Sequence, residues 1–543
     1  MKRILASVLA LSLALTAMVG CGGKKETAEG DGKGSEKMIV RHNFSADPET
    51  IDPALNAAVD GAIVLVNSFE GLMRTDKDDK AIPGVAEKFE VSEDKLTYTF
   101  HLRDSKWSDG TPVTANDFEY SWKRVLDPKT AADYAYQMYY IKNAEKFNSG
   151  EGTADELGIK AVDEKTLQVT LEAPTPYFLE LTAFPCYFPV KKDIVEKDPE
   201  KWALNPETHI SNGPFKVVKW EHNNEMVLEK NPNYYGADRI KLDGITFTMI
   251  NEQATALSAF EAGELDYIED LPSAQMEKYK AESKEFHIYP NLGTSFYVFN
   301  VNEKPVDDVR VRRALTLAID RQKLIDAVLK AGQIPATGFV PTGIKMPNGK
   351  DFRELNGDFG ITPEANVAEA KKLLAEAGYP DGKGFPKVPL IYNTNEGNKA
   401  IAEAIQEMWK KNLGIEIELQ NQEWKVFQET RDNGDFVMAR HAWIGDYVDP
   451  MTFLDMWIST SGNNNAQWKN PEYDATIKAA KAEADPMKRY EIMAQAEKMM
   501  MDANIAMPIY YYTNPELIKD YVKGVKVSPL GFVYYDEVTL EKK

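Results

Sequence analysis

The chain has 543 residues, 43% of them hydrophobic and 27% charged, a balance that suits a globular protein of roughly two to four domains. Its 85 acidic and 64 basic side chains leave a formal charge of −21, which disfavours nonspecific binding to nucleic acid and to anionic lipid. Only Cys21 and Cys186 are cysteines, and beyond the N-terminal segment no stretch is apolar for about 18 residues; a disulfide framework and a later membrane span are excluded.

In chain order, Lys2 and Arg3 form a basic start, Ile4 to Leu15 is apolar apart from Ser7 and Ser12, and Met18-Val19-Gly20 leads to Cys21. This order predicts an export signal over residues 1–20, too short for a comfortable membrane span. Its end resembles a bacterial lipoprotein signal, although Met18 departs from the commoner leucine. That resemblance implies that Cys21 receives lipid, palmitate included, and becomes the new N-terminus. A plain secretory signal and an uncut anchor are the competing readings. Residues 21–38 hold no large apolar side chain before Met38 and read as a flexible tether to the cell membrane.

Met38 to Asn43 reads as the first strand of the body, and Val59 to Leu72 has helical spacing. Leu96 to Leu102 alternates with Leu96, Tyr98, Phe100 and Leu102 on one face. A turn at Asp109-Gly110 precedes a capping box of Thr114 and Asp117, which starts a helix carrying Phe118, Trp122 and Val125. Thr166 to Leu171 and Phe215 to Trp220 are further strands. Cys186, within Phe184-Pro185-Cys186-Tyr187-Phe188, reads as a small buried hydrophobe. Asn291 to Asn302 is a strand or crossover, after which helices alternate with strands. Val311, Ala314, Leu315, Ala318 and Ile319 make a helical stripe, and Thr362-Pro363 starts another helix that Gly378 ends. Val388 to Tyr392, a helix with Ile401, Ile405 and Met408, and Ile415 to Leu419 continue the order. A helix over Pro486 to Asp502 precedes a strand from Met507 to Tyr512 that crosses back. This is an α/β body.

Motifs for catalysis are missing from the sequence: no G-x-S-x-G, no H-E-x-x-H and no Walker loop. The six histidines have no metal-ligand spacing, so neither a metal nor a cofactor is implied. The informative stretch is Asn421 to Pro450, where Asp446 follows a strand carrying Arg440 and His441 and sits among Trp443, Tyr447 and Pro450. A charge in apolar surroundings needs a partner. Either an internal Arg or Lys supplies it, or a cationic group of a ligand does.

Asp52-Pro53, Phe69-Glu70-Gly71-Leu72, Pro83-Gly84-Val85-Ala86-Glu87, YTFHLRDSKWSDGTPVTANDFEYSWKRVLDP at 98–128, Asn212-Gly213-Pro214-Phe215, Asp308-Val309-Arg310-Val311-Arg312, Trp409 to Gly414 and Asn421 to Pro450 share one resemblance. From about residue 39 to its end the chain resembles the extracellular solute-binding proteins, family 5, of the oligopeptide- and dipeptide-binding type. The resemblance implies an α/β, periplasmic-binding-protein-like fold, with two hinged lobes closing on ligand plus an additional third lobe. Carried over, residues 39–69, 191–292 and 514–543 make lobe I, 70–190 lobe II and 293–513 lobe III, hinged near Gly293 and Thr513.

The same resemblance implies a receptor, not an enzyme, that gives short peptides to the permease subunits of an ABC transporter and works as a monomer. Asp446 matches the carboxylate that holds the peptide α-ammonium group. Arg440 and Arg431 match arginines near the ligand, Trp424 and Tyr134 match pocket walls, and Tyr512 matches a hydroxyl beside the hinge. Ala57, Ala58 and Val59 match a segment that pairs with the peptide backbone. Trp443 belongs to the same peptide-binding set. Leu329 and Asn398 stand where enteric relatives have a lysine and a histidine for the C-termini of longer peptides, with Lys330 adjacent. Gly293 and Ile444 stand where those relatives have a disulfide. Another ligand, such as a nickel chelate, a signalling peptide or a cell-wall peptide, is the first alternative. A surface hydrolase or adhesin on the same scaffold is the second.

Overall fold

The computed structural model describes residues 37–269 and 271–541. The export signal, Cys21 and the stretch up to Glu36 lie outside the described residues. Met38 is already held by Asp243, whose carboxylate accepts from its N–H at 2.8 Å and whose own N–H reaches the Met38 carbonyl at 2.8 Å.

An 11-stranded mixed sheet runs through the molecule in the order Ile417–Gln422, Val388–Asn393, Met438–Ile444, Phe286–Phe299, Ala506–Ile518, Tyr267–Ile268, Ile39–Asn43, Gly244–Thr248, Glu225–Lys230 and Phe215–Glu221, with Ile334–Pro335 added on Ala506–Ile518. Phe286–Phe299 and Ala506–Ile518 are its two long strands, and they pair antiparallel along most of their length. Their register shifts between Pro290 and Thr294, where Tyr512 faces three residues of the other strand. At one end the pair joins the parallel strands through Met438–Ile444, and at the other through Tyr267–Ile268. The strands that carry Gly293 and Thr513 are therefore hydrogen-bonded to each other. Gly293 and Ile444 are cross-strand partners, and a Cβ at Gly293 would collide with Ile444 Cδ1.

A separate four-stranded antiparallel sheet, in the order Ala86–Val91, Thr97–Leu102, Thr166–Thr170 and Ile159–Asp163, carries the helix Ala115–Leu126. That helix starts where the capping box requires: the Thr114 N–H donates to Asp117 Oδ2 at 2.8 Å. Its stripe of Phe118, Trp122 and Val125 is buried, and Trp122 Nε1 donates to the Tyr187 carbonyl at 2.7 Å. Cys186 is 1% exposed and unpaired by any disulfide.

Beyond residue 300 the alternation of helix and strand builds a second core. Val311, Leu315 and Ile319 meet Leu390, Ile405 and Trp409, each side chain contributing about 1.5–3 kcal/mol by its burial. Trp409 Nε1 donates to the Leu315 carbonyl at 2.9 Å, fastening helix Glu396–Leu413 to helix Val309–Leu317. The helix expected at Thr362-Pro363 begins at Val367 instead. The Pro363 carbonyl is occupied by the N–H groups of Arg321 and Gln322, and Thr362 Oγ1 donates to the Glu364 carbonyl at 2.7 Å, which hold a loop there. Asn366 takes the cap, accepting from the Glu369 N–H at 3.3 Å. Among the described residues, no helix is long and apolar enough to cross a membrane.

Candidate functional site

A cavity of about 720 Å³ lies against the middle of the large sheet. Ala57, Ala58, Val59, Tyr134, Asn398, Trp424, Arg431, Arg440, Trp443, Asp446 and Tyr512 all line it. Residues scattered over most of the sequence thus meet on one surface. Leu329 lines it as well, whereas Lys330 does not.

Asp446 is aimed by the end of a strand. Met438–Ile444 stops where the Gly445 N–H donates to the Leu292 carbonyl at 2.8 Å, and Asp446 leaves the sheet into the cavity. Three neutral donors hold its carboxylate. Tyr134 Oη donates to Oδ1 at 3.2 Å, Gln137 Nε2 to Oδ2 at 2.5 Å and Thr452 Oγ1 to Oδ2 at 3.1 Å. Tyr134 and Gln137 share a face because the turn Asp133–Met138 is a 3₁₀ helix, in which i and i+3 eclipse. Among the described residues no cation pairs with Asp446. Burial pushes its carboxyl well above the ordinary range; the nearby Asp455 carboxylate adds to this, and the hydrogen bonds from Thr452, Tyr134 and Gln137 oppose it. Among the described residues, none supplies the internal Arg or Lys that the sequence left open.

Arg440 is the counterpart. Its Nη2 donates to Tyr512 Oη at 2.8 Å, its Nε is buried without a partner, and among the described residues no carboxylate pairs with it. Tyr512 owes its position to the register shift in the long strands. Arg431 is buried against Asp432, Nε to Oδ1 at 3.6 Å, and lies over the Phe427 ring at 5.7 Å. Its pKa is lowered by burial, which Asp432 opposes.

Trp424 Nε1 donates to Asp60 Oδ2 at 3.1 Å, joining helix Trp424–Asp432 to the start of helix Val59–Ser68. Burial raises the Asp60 carboxyl to about 6. Ala58 is extended at the cap of that helix, and its carbonyl is taken by the Ala62 N–H at 3.0 Å and by Asn56 Nδ2 at 3.0 Å. Of the N–H groups that a first helical turn leaves open, that of Gly61 is taken by Asp60 Oδ1 at 2.8 Å. The Asn398 amide donates to Asn393 Oδ1 at 3.0 Å. Trp443 packs beside Tyr134, ring centroids 6.0 Å apart, with its Nε1 buried and unpartnered.

Unpartnered polar atoms concentrate on this wall. Asn291 Oδ1, Gln428 Oε1, Arg431 Nε, Arg440 Nε, Trp443 Nε1 and Asn463 Nδ2 are all buried, all without a hydrogen bond, and all belong to residues lining the cavity. A wall that leaves donors and acceptors open fits a ligand rich in both, such as a peptide main chain. Gln137 and Thr452, the closest supports of Asp446, escaped the sequence reading. Their signal was spacing: Gln137 follows Tyr134 by one 3₁₀ turn, whereas Thr452 had none. Among the described residues no group of His, Cys, Asp or Glu is placed to hold a metal ion.

Residues 80–465 match the family described as bacterial extracellular solute-binding proteins, family 5, middle. The oligopeptide-binding protein OppA of Bacillus subtilis (strain 168) is 40% identical over 542 residues, 98% of either chain. Haemophilus influenzae OppA in complex with RPPGFSPFR superposes with a TM-score of 0.89 at 36% identity, over 93% of this chain and 99% of that one. The Escherichia coli murein tripeptide binding protein MppA gives 0.88 at 36% identity, over 94% of this chain and 99% of that one. MppA in its unliganded open form has the same 36% identity and covers 93% and 98% of the chains, yet the TM-score falls to 0.61. With identity and coverage alike, the difference lies in how the parts are arranged, and this chain is arranged as in the peptide complex. The fold is mixed α/β and periplasmic-binding-protein-like, and the chain belongs to the bacterial extracellular solute-binding proteins of family 5.

Proposed function

We propose that the protein is a lipid-anchored receptor on the outer face of the cell membrane, which captures short peptides between its lobes and delivers them to the permease subunits of an ABC importer. It works as a monomer and breaks no bond. Residues 39–69, 191–292 and 514–543 form one lobe, 293–513 closes against it about the two long strands, and 70–190 flanks the cleft. Cys21 is the lipid attachment site, and residues 21–38 are the tether.

Asp446 carries this reading. A desolvated carboxylate with only neutral donors is costly until a cation arrives, and the α-ammonium group of a peptide is one. Arg440, without a carboxylate of its own, suits an anionic end or side chain of the same ligand. Asp446 and Arg440, charges of opposite sign on one cavity and neither in an ion pair, favour a zwitterion. The relatives named for oligopeptide binding, and the peptide held by Haemophilus influenzae OppA, support peptide as the ligand class.

The test is calorimetry with a free-amine peptide and its N-acetylated twin. The acetylated form should lose about 2–5 kcal/mol of affinity, as when one half of a buried charge pair is removed. Equal affinities would overturn α-amine capture. Mass spectrometry of the incubated peptides should find them intact, and cleavage would favour a hydrolase.

A further inference from the structure

Next to the ligand cavity lies a buried polar chain that the binding chemistry does not use. Arg489 Nη2 donates to Tyr177 Oη at 3.2 Å, Tyr177 Oη donates to Tyr140 Oη at 3.1 Å, and Tyr140 Oη donates to Asp455 Oδ2 at 3.3 Å. Its two ends are each closed by an ion pair. Arg489 holds Asp449 with two bonds, at 2.7 and 2.8 Å, and Lys481 Nζ lies 3.0 Å from Asp455 Oδ2. Tyr177 also stacks on Tyr447 at 4.9 Å with 10° between the planes. The Arg489 guanidinium lies over the Tyr177 ring at 4.9 Å, and Lys481 Nζ over the Tyr140 ring at 4.4 Å. Tyr140, Tyr177, Tyr447, Asp449, Asp455 and Arg489 are all buried.

The parts divide by segment. Both ion pairs and Tyr447 come from residues 447–489, and both hydroxyl relays come from 140 and 177. The ion pairs are complete without the tyrosines, so separating the segments leaves no charge stranded. It costs three hydrogen bonds, Arg489 to Tyr177, Tyr140 to Asp455 and the 3.4 Å contact between the Tyr140 and Tyr447 hydroxyls, with the stack and the two cation–ring contacts. The bond directions run one way, from a cation through two hydroxyls to a carboxylate, so each bond polarises the next. The chain also touches the ligand site at both ends of its sequence. Tyr140 follows the turn that carries Tyr134 and Gln137, and Tyr447 follows Asp446 directly.

We propose that Tyr140 and Tyr177 are positioning residues that latch residues 70–190 onto 293–513 when the cleft is shut, and so set how long any peptide stays bound. This rests on the proposed opening and closing of the lobes. The latch touches no ligand atom, so it slows release by the same factor for every peptide. Specificity stays with the cavity, and residence time with the tyrosines.

The experiment compares the wild-type protein with Tyr140→Phe and Tyr177→Phe, which keep the rings and lose the hydroxyls. Dissociation of a fluorescently labelled free-amine peptide, followed by stopped flow after dilution into unlabelled peptide, should quicken about tenfold in each variant. The factor should be the same for two labelled peptides of different sequence, with the association rate unchanged. Thermal unfolding of the peptide-free variants should match wild type. Unchanged dissociation overturns the latch. So does an equal loss of stability in the peptide-free protein, because the chain is then permanent packing. Small-angle scattering of the wild type should show contraction when peptide is added. No contraction would remove the opening and closing itself, and the latch with it, whereas contraction with unchanged dissociation removes the latch alone.

Discussion

Asp446, Asp449 and Asp455 lie within one short stretch and face desolvating surroundings, yet the structure treats them in opposite ways. Asp449 receives two bonds from Arg489, and Asp455 has Lys481 at 3.0 Å. Asp446 receives a phenol, an amide and a hydroxyl, none of them charged. Of these three, the two away from the cavity have their cations built in, and the one that lines it has its cation withheld. A buried charge left without a partner is thus a better mark of a binding site than a buried charge as such.

The comparison breaks most visibly at Arg489. Arg489→Leu leaves Asp449 buried and unpaired, and should cost about 3–5 kcal/mol of stability in chemical denaturation, with or without peptide. A loss confined to the peptide-bound state would move Asp449 from scaffold to site. Asp446→Asn should do the reverse. Affinity for a free-amine peptide falls by about 2–5 kcal/mol in calorimetry, while the peptide-free protein is as stable as wild type or more so, because a carboxyl with a raised pKa is itself a cost when ionised.

The smallest effect concerns pH. Burial, aided by Asp432 and Glu49 and opposed by Arg431, raises the Asp133 carboxyl to about 7. Unfolded, an aspartate titrates near about 3.9. Between these values the folded protein holds a proton that the unfolded chain releases. Stability from this group is therefore present below about pH 4 and is lost as pH rises through about 7. Asp133→Asn should flatten that part of the profile of denaturation midpoint against pH, and an unaltered slope would assign it to other groups.

Much of this was legible in the sequence where a pattern was local. Alternation marked Thr97–Leu102 and Val388–Asn393, and the Thr114 and Asp117 box marked its helix within a residue. Asp446 stood out as a charge among aromatics. What was hidden depends on partners far along the chain. Nothing near Asp449 announces Arg489, and nothing near Asp446 announces Tyr134 and Gln137, roughly 310 residues away. The start at Thr362-Pro363 misled for the same reason, since the N–H groups of Arg321 and Gln322 claim the Pro363 carbonyl.

The two long strands have one more consequence. They lie side by side, hydrogen-bonded to each other, with register shifts between Pro290 and Thr294 and between Ser295 and Phe296. Two antiparallel ties joined edge to edge bend more readily out of their common plane than within it. If the lobes close about this pair as proposed, the cleft has a single path of travel and one shut outline, whatever sequence lies inside. The permease of the proposed function could then read the outline of the container without reading its contents, so that one docking surface serves a mixed cargo.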